Sequence, residues 1–283
     1  NYRKTKILAT IGPSSEKITK IEKLILSGVD AFRINCSHTN ESQFKNYIVN
    51  IRKVEKKLKK PIGILIDLQG PKLRIGQIEN NIPLKKGQKI LFVNNKKSSK
   101  PSEIPLPEEK VFKSVRVNHP IFIDDGKIKL KVLKVSKNII ETKVISEGVL
   151  KSKKGINLPE TVLKNSALTL ADKKNVKKAM ELGVDWIALS FIQSPEDIKD
   201  LRKICKKSVS IMAKIEKPTA LNHINKITEL ADGLMIARGD LGVELPIQDV
   251  PSWQKRIIRE ARIQGKPVVV STQMLESMIT SKT

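Results

Sequence analysis

Apolar runs of strand length alternate with helically spaced apolar residues over most of the chain. The runs span 5–12, 31–38, 63–70, 186–191, 210–216, 233–240 and 267–273. Between the first two runs, apolar residues recur at helical spacing from Ile18 to Ile25, and Gly28 is a typical helix stop. This alternation predicts repeated βα units and therefore a parallel sheet.

Other segments carry helix start and stop signals. A helix is expected to end before Pro61, because proline cannot continue one. Asp172 is a candidate cap for a helix through Leu182, and Ser194 followed by Pro195 is a typical helix start. Helical spacing also predicts helices over 44–58, 221–230 and 253–261.

The alternation of strand-like and helical segments, the βα rhythm, is interrupted between about 72 and 163. Short alternating segments and turn residues replace it, and Asp125-Gly126 between two apolar runs is a hairpin signal. We therefore expect a small all-β insertion. The predicted organisation is a barrel domain, first part, over 1–71, an inserted β-domain over 72–163, and an incomplete second part of the barrel domain over 164–283.

Three short segments repeat one pattern. SGVDAFRI, LGVDWIAL and LADGLMIA each contain a helix end, an aspartate in a turn and a strand start. Repeated units of this kind favour an α/β fold with a (β/α)8 TIM barrel, and a doubly wound sheet is the alternative. In a barrel, the functional groups lie where the strands end at the carboxyl face.

Composition narrows the class of protein. The 283 residues are 39% hydrophobic and 29% charged, which is ordinary for a soluble globular protein. No apolar run approaches the roughly 18 residues that span a membrane, and no secretory signal opens the chain. With only two distant cysteines, we expect a cytoplasmic protein without a membrane partner. The net charge of +25 comes mostly from dispersed lysines, and aromatic residues are 4%, so we expect no nucleic-acid surface.

Charged side chains stand where the fifth and sixth strands end. Lys214 and Glu216 alternate along the fifth strand and therefore share one face, and Asp240 ends the sixth. Two carboxylates on neighbouring strand ends form a hard-oxygen site for Mg²⁺ or Mn²⁺. A lysine beside them can neutralise charge on a transferred phosphoryl group or an enolate. A purely structural Lys–Glu ion pair is the alternative.

The remaining strand ends supply more polar candidates. Two of them are arginines, Arg33 and Arg74, whose cationic guanidinium groups can donate paired hydrogen bonds to phosphate oxygens. The others are Asn35, Ser37, His38, Asp67, Lys72 and Thr272. Each alone is compatible with a structural role, but the convergence of polar residues at five strand ends, counting those of Lys214 and Asp240, points to a functional site.

Eight segments of the chain, in order, resemble the pyruvate kinase family. They are TKILATIGPSS, FRINCSH, LIDLQGPKLRIG, DDGKIKL, SKKGINLP, KIEKP, DGLMIARGDLGVELP and GKPVVVSTQMLESM. The resemblance implies a (β/α)8 barrel with a β-domain inserted after the third strand. It also implies phosphoryl transfer from phosphoenolpyruvate to ADP, giving pyruvate and ATP in glycolysis, and a homotetramer for the full-length protein.

The resemblance further implies a role for each candidate. Lys214 is the phosphoryl-transfer lysine, and Arg33 contacts the phosphoryl group. Glu216 and Asp240 hold the divalent metal. The substrate carboxylate is held by the Gly239 and Asp240 amides and the Thr272 hydroxyl. The nucleotide-phosphate contacts are Arg74 and Lys154, with Asn35 and His38 nearby. Closure of the β-domain over the barrel mouth excludes water.

The chain departs from the family pattern in two ways. In much of the family, K⁺ is bound by the counterparts of Asn35, Ser37, Asp67 and Leu68, and a glutamate stands at position 72. Because the Lys72 ammonium can supply this positive charge, we expect activity that does not require K⁺. The chain also stops before the family's eighth strand and C-terminal domain. We therefore expect a fragment that is nearly inactive by itself.

Other functions remain open from the sequence alone. Another metal-dependent barrel enzyme for phosphoenolpyruvate or pyruvate would also carry acidic strand ends, but would lack the insertion and SKKGINLP. A binding module for nucleic acid or polyphosphate would need a clustered arginine-rich or aromatic face. A non-catalytic truncated relative is the third alternative, and the retained strand-end residues argue against it.

Overall fold

The first part of the chain alternates strands and helices as its apolar periodicity predicts. The computed structural model describes residues 3–98, 100–163, 166–274 and 276–281. The first elements are β1 (Leu8–Thr10), α1 (Ile18–Leu26), β2 (Ala31–Asn35), α2 (Glu41–Leu58) and β3 (Gly63–Asp67). A capping box of Asn40 and Gln43 starts α2. The helix ends at Lys59, whose φ of 48° is left-handed, ahead of Pro61.

The next part of the chain forms mostly short, antiparallel strands. They are β4 (Gln77–Ile78), β5 (Ile82–Leu84), β6 (Lys89–Val93), β7 (Lys97–Ser98), β8 (Glu103–Pro105), then α3 (Glu109–Ser114), β9 (Pro120–Ile123), β10 (Ile128–Val135), β11 (Ile139–Val144), β12 (Gly148–Leu150) and β13 (Ile156–Asn157). Six of them form one sheet in the order β13-β9-β10-β11-β6-β8, hereafter the inserted sheet.

The inserted sheet confirms one prediction and corrects another. Strands β9 and β10 pair antiparallel across a turn closed by the bond from Lys127 N to Asp124 O, so the predicted hairpin at Asp125-Gly126 is confirmed. The expectation of an all-β insertion was wrong in detail, because α3 lies within it. This helix forms since Val111 and Phe112 bury one of its faces in the local core.

The βα rhythm resumes after the inserted sheet. Its elements are α4 (Leu170–Glu181), β14 (Trp186–Leu189), α5 (Pro195–Cys205), β15 (Ser210–Ile215), α6 (Pro218–Leu221), α7 (Ile224–Leu230), β16 (Gly233–Ala237), α8 (Arg238–Glu244), α9 (Val250–Ile263) and β17 (Val268–Ser271). Short 3₁₀ helices lie at Ile247–Asp249 and Glu276–Ile279. The part of the chain described contains no helix long and apolar enough to cross a membrane.

Local chemistry corrects three predicted boundaries. Thr169, not Asp172, caps α4; Asp172 is its partner three residues on in the capping box. The predicted helix through 221–230 is two helices, because polar residues at 222 and 223 occupy a helix end and a helix start. Residues 238–240, expected to end a strand, form the first turn of α8.

Seven strands of the described ranges form one parallel sheet, and its order decides between the two candidate topologies. The order β1-β2-β3-β14-β15-β16-β17 follows the chain. A barrel is wound in one direction in this way, whereas a doubly wound sheet reverses its order at a switch point. The barrel prediction is therefore confirmed over these strands. All seven strands end at the same edge, hereafter the carboxyl edge.

The buried apolar residues separate into distinct clusters. The largest packs the helices against the parallel sheet, with Phe32 and Ile64 among its fully buried members. A second cluster contains only residues from Leu73 to Leu163. A small third cluster on the sheet includes Met212 and Met235. The boundaries of 72–163 as a separate domain stay a prediction.

The three segments that repeat one sequence pattern, SGVDAFRI, LGVDWIAL and LADGLMIA, each place an aspartate in the same structural role. Each accepts the backbone N–H of a residue at or next to the start of the neighbouring strand in the parallel sheet: Asp30 from Ile7 (2.8 Å), Asp185 from Ile64 (2.7 Å) and Asp232 from Ile211 (2.7 Å). Each carboxylate also pairs with an arginine, respectively Arg3, Arg52 and Arg202. The repeat in the sequence therefore reflects one arrangement, an aspartate that binds a backbone N–H and an arginine, hereafter the clamp. It occurs three times at the edge of the sheet where the strands begin, hereafter the amino edge.

Candidate active site

Lys214 lies at the centre of a buried charged cluster at the carboxyl edge. Its Nζ is 2.8 Å from Glu216 Oε1 and 3.0 Å from Asp67 Oδ1. It also donates to the Ser190 hydroxyl at 2.8 Å. The side chain is only 10% exposed, and all three ammonium hydrogens have an acceptor. A ligand that binds this ammonium must therefore displace one of the three, and the neutral Ser190 hydroxyl is held least strongly.

Burial affects the pKa of both members of the Lys214–Glu216 pair. It lowers the pKa of the Lys214 ammonium, but the Glu216 and Asp67 carboxylates outweigh this, and the pKa is raised overall. Burial raises the pKa of the Glu216 carboxyl. Lys214 opposes that rise, and the neighbouring Asp240 carboxylate adds to it. The lysine is therefore held protonated beside carboxylates that repel one another.

Arg33 enters the cluster from β2. Its Nε lies 2.7 Å and its Nη2 2.5 Å from Asp67 Oδ2, and its Nη1 donates to Thr10 Oγ1 at 3.0 Å. The side chain is 25% exposed, so part of the guanidinium remains accessible from the carboxyl edge. One buried carboxylate, that of Asp67, thus holds both predicted phosphoryl-binding cations.

The backbone between β14 and α5 also contributes to the cluster. Phe191 N donates to Glu216 Oε2 at 2.8 Å, and Phe191 adopts a φ of 56°, which bulky residues seldom do. Gly70 permits this close arrangement, since a Cβ there would lie 2.8 Å from Phe191 Cδ2. Ser190 and Phe191 were missed from the sequence. Ser190, as the polar residue after a strand, carried the same signal as the other candidates.

The predicted carboxylate-binding residues come together at the start of α8. Because α8 follows β16 directly, Gly239 and Asp240 lie at the carboxyl edge. Gly239 N donates to Thr272 Oγ1 at 3.0 Å, and Thr272 has a left-handed φ of 65°. Arg238 Nη2, a contact not predicted, donates to the carbonyl of Gln273 at 2.8 Å. A substrate carboxylate at Gly239 N would replace the Thr272 hydroxyl as acceptor.

The four predicted nucleotide contacts lie in two groups. Arg74 pairs with Gly155 in an isolated β-bridge, and Lys154 Nζ lies 2.8 Å from Asp124 Oδ1. The Lys154 hydrogen bond holds the pKa of Asp124 below its usual range. Asn35 and His38 lie together at the end of β2, where His38 N donates to Asn35 O at 3.2 Å. Within the described ranges, no hydrogen bond or ion pair joins the two groups.

Three residues of the predicted K⁺ shell, Asn35, Asp67 and Leu68, use their oxygens within the protein. Asn35 Oδ1 accepts from Ser37 N at 3.0 Å, and the Leu68 carbonyl accepts from the Ser190 hydroxyl at 2.8 Å. Asp67 is occupied by the two cations described above. Ser37 lies in a turn beyond β2, not on the strand as expected, because β2 ends at Asn35. Lys72 is exposed, and its Cε approaches Gly155, at 3.3 Å from where a Cβ would be.

Glu216 and Asp240 are the candidate ligands for a divalent cation. The described residues contain no cluster of three or more His, Cys, Asp or Glu suited to hold a metal. Two carboxylates with the remaining positions filled by water and substrate oxygens are typical of Mg²⁺. Repulsion between Glu216 and Asp240 contributes to the raised pKa of Glu216, and a divalent cation would relieve it. The pair therefore fits a hard cation.

Comparisons with known proteins agree on one family. The family described as "Pyruvate kinase, barrel domain" matches residues 2–283. A pyruvate kinase of Methylorubrum extorquens is 46% identical over 280 residues, which cover 99% of this chain and 59% of the relative. One from Agrobacterium vitis is 46% identical over 99% of this chain and 60% of the relative. The crystal structure of a Cryptosporidium parvum pyruvate kinase superposes with a TM-score of 0.94 at 32% identity, covering 99% of this chain and 60% of that one. The chain thus spans about 60% of the length of these proteins.

Proposed function

The chain belongs to the pyruvate kinase family, and from this we propose that its protein transfers the phosphoryl group of phosphoenolpyruvate to ADP, giving pyruvate and ATP in glycolysis. The observation that carries the proposal is the cluster around Lys214 at the carboxyl edge. Phosphoryl transfer depends on positioning and on charge stabilisation. The cluster provides for both with a protonated lysine, an arginine guanidinium and carboxylates at neighbouring strand ends.

Lys214 and Arg33 would act on the phosphoryl group. Arg33 binds the phosphoryl oxygens. Lys214 stabilises negative charge first on the phosphoryl group and then on the enolate that remains after transfer. Asp67 acts as a positioning residue, since it orients both cations before substrate arrives. Because the Lys214 ammonium is charged before the reaction, no proton has to move for it to stabilise the enolate.

The substrate carboxylate would bind at the start of α8. The Gly239 and Asp240 amides and the Thr272 hydroxyl provide the donors, and Arg238 fixes the strained backbone that carries Thr272. Fixed donors of this kind hold the enolate carbons in one orientation relative to Lys214 and Arg33.

Glu216 and Asp240 would hold Mg²⁺ or Mn²⁺, which supplies positive charge to phosphoryl and enolate oxygens when bound. The Phe191 N–H and Lys214 fix the Glu216 carboxylate for this role. We further propose that K⁺ is not required, because Lys72 stands where the family commonly has a glutamate.

Arg74 and Lys154 would bind the nucleotide phosphates, with Asn35 and His38 nearby. Arg74 and Lys154 lie beside the inserted sheet and Lys214 on the barrel. Closure of residues 72–163 over the carboxyl edge, where Asn157 contacts Glu244 in this structure, would therefore bring donor and acceptor together and exclude water. We propose a cytoplasmic homotetramer without a nucleic-acid or membrane partner, as the family resemblance implies.

An assay of pyruvate formation tests the proposal. The protein as its gene encodes it should form pyruvate from phosphoenolpyruvate only with ADP and a divalent cation. Lys214→Met should lower kcat by about a thousandfold or more. Lys207→Met, the same change at an exposed lysine, should leave kcat unchanged. Absence of pyruvate formation by a folded wild-type protein would overturn the proposal.

A further inference from the structure

Glu244 joins three parts of the molecule that carry different candidate groups. It is the last residue of α8, the helix that also contains Gly239 and Asp240. Asn157 of the inserted sheet donates its Nδ2 to Glu244 Oε1 at 2.9 Å. Lys217, just beyond the β15 strand that carries Lys214, places its Nζ 3.2 Å from the same oxygen.

This arrangement is buried but incompletely satisfied. The Glu244 side chain is 2% exposed and that of Lys217 13%. Lys217 compensates the charge of Glu244, yet Glu244 Oε2 is buried without a hydrogen-bond partner among the described residues. An unsatisfied buried oxygen weakens the closed contact relative to a fully bonded one. The contact is therefore easier to release, when the inserted sheet moves, than a fully bonded contact would be.

A second contact joins the inserted sheet to α8. The turn between β9 and β10 lies over this helix, since a Cβ at Gly126 would come within 3.5 Å of Val243 Cγ1. Asp124 in the same turn holds Lys154. Through these contacts the position of Lys154 relative to Asp240 depends on how the inserted sheet sits on α8. A cavity lies where the inserted sheet meets α8. Its lining includes Lys72, Asn157, Phe191, Lys217, Asp240 and Glu244.

We propose that Asn157, Glu244 and Lys217 form a latch that holds the inserted sheet over the carboxyl edge, with Glu244 a positioning residue for ADP. The proposal rests on the function proposed above. Glu244 acts by fixing Asn157, and through the strand that Asn157 ends it sets Lys154 and Arg74 against the barrel. Phosphoenolpyruvate, held by barrel residues alone, is expected to depend on the latch much less than ADP does.

An exchange of amide and carboxylate tests the latch. Asn157→Asp is nearly isosteric and places a carboxylate against Glu244, so it should raise the KM for ADP about tenfold, with little change in the KM for phosphoenolpyruvate. The double variant Asn157→Asp/Glu244→Gln restores one donor and one acceptor beside Lys217, and should return the KM for ADP to within about twofold of wild type. Asn138→Asp, the same change at an exposed position elsewhere in the β-rich segment, serves as the control and should have no effect.

A distance measurement separates failure of the latch from failure of the proposed function. Spin labels at Lys131→Cys and Lys255→Cys, both exposed positions, report on the inserted sheet and the barrel after Cys36 and Cys205 are replaced by alanine. Asn157→Asp should broaden the distance distribution and the double variant should narrow it again, whether or not the protein turns over substrate. An unchanged distribution together with an unchanged KM for ADP in Asn157→Asp, or no recovery in a folded double variant, would overturn the latch.

Discussion

Asp67 Oδ1 lies 3.0 Å from Lys214 Nζ, while the other oxygen of the same carboxylate accepts two bonds from Arg33. Asp67→Asn keeps the shape of the side chain but removes the charge that holds both cations. We expect the free energy of unfolding to fall by about 3 kcal/mol, because a buried ion pair loses one partner. We also expect kcat to fall at least about a hundredfold, because both cations lose their orientation.

Urea denaturation and steady-state assays would measure these two effects. Asp200→Asn is the matched control, since Asp200 forms an exposed ion pair with Lys203. Its change in unfolding free energy should stay below about 0.5 kcal/mol. If Asp67→Asn behaved like Asp200→Asn in both measurements, Asp67 would not be the residue that organises the cluster.

Cys36 should make the protein less stable at alkaline pH. Burial, then the Asp67 and Asp172 carboxylates, raise the pKa of its thiol from 9.0 to about 12. Between these values the folded state binds more protons than the unfolded state, so stability falls as the pH rises through this window. Cys36→Ala should therefore lose about 1 kcal/mol less stability than the wild type between pH 8 and pH 10.

Urea titrations at both pH values would measure this difference. The raised pKa of Lys214 contributes to alkaline loss in both proteins and cancels in the comparison. Ser102→Ala, at an exposed position, should keep the wild-type pH dependence. Equal pH dependence in Cys36→Ala and wild type would show that the thiol titrates near its ordinary pKa.

The sequence predicted the parts of the cluster that depend on one strand at a time. Alternation put Lys214 and Glu216 on one face, and the alternation of strands with helices put Asp67 and Asp240 at the same edge. The structure also contains the Lys214–Glu216 ion pair, which the sequence offered as a purely structural alternative to a functional site. An ion pair of this kind and a catalytic role are compatible, because substrate oxygens can replace one partner of Lys214.

The missed features depend on contacts between segments or on unusual backbone. The pairing of Asp67 with Arg33 follows from the register of β2 and β3, which no local pattern fixes. The left-handed Phe191 is stabilised by its bond to Glu216, against its own preference. Glu244 reads as an ordinary helix acid until Asn157, 87 positions away, is placed beside it. Such contacts are set by tertiary packing, so single-sequence patterns do not contain them.

Asp185 should stabilise the fold without affecting catalysis. It accepts from Ile64 N and pairs with Arg52 at the amino edge of the sheet, opposite the Lys214 cluster. In Asp185→Asn the amide oxygen can still accept one bond, but the charge facing Arg52 is lost. We expect the free energy of unfolding to fall by about 1–2 kcal/mol, with kcat and both KM values unchanged.

The repeated clamp offers an internal check on Asp185. Asp232→Asn should have a similar cost, because Asp232 makes the equivalent bonds with Ile211 and Arg202. Urea denaturation would measure both variants against Asp200→Asn. A loss of activity at full stability in Asp185→Asn would contradict a purely structural clamp at this edge.

We expect activity to be independent of K⁺, because the Lys72 ammonium can supply positive charge near the proposed site. Lys72 lines the same cavity as Asp240, and the oxygens of Asn35, Asp67 and Leu68 already have protein partners. At fixed ionic strength, replacing tetramethylammonium by K⁺ should change kcat by less than about twofold. Lys72→Met should reduce kcat in tetramethylammonium and recover part of it in K⁺, since a mobile cation can then replace the lost charge. Lys207→Met should show neither effect. A severalfold activation of the wild-type protein by K⁺ would mean that Lys72 does not substitute for the ion, and that the Asn35, Asp67 and Leu68 oxygens exchange their protein partners for it.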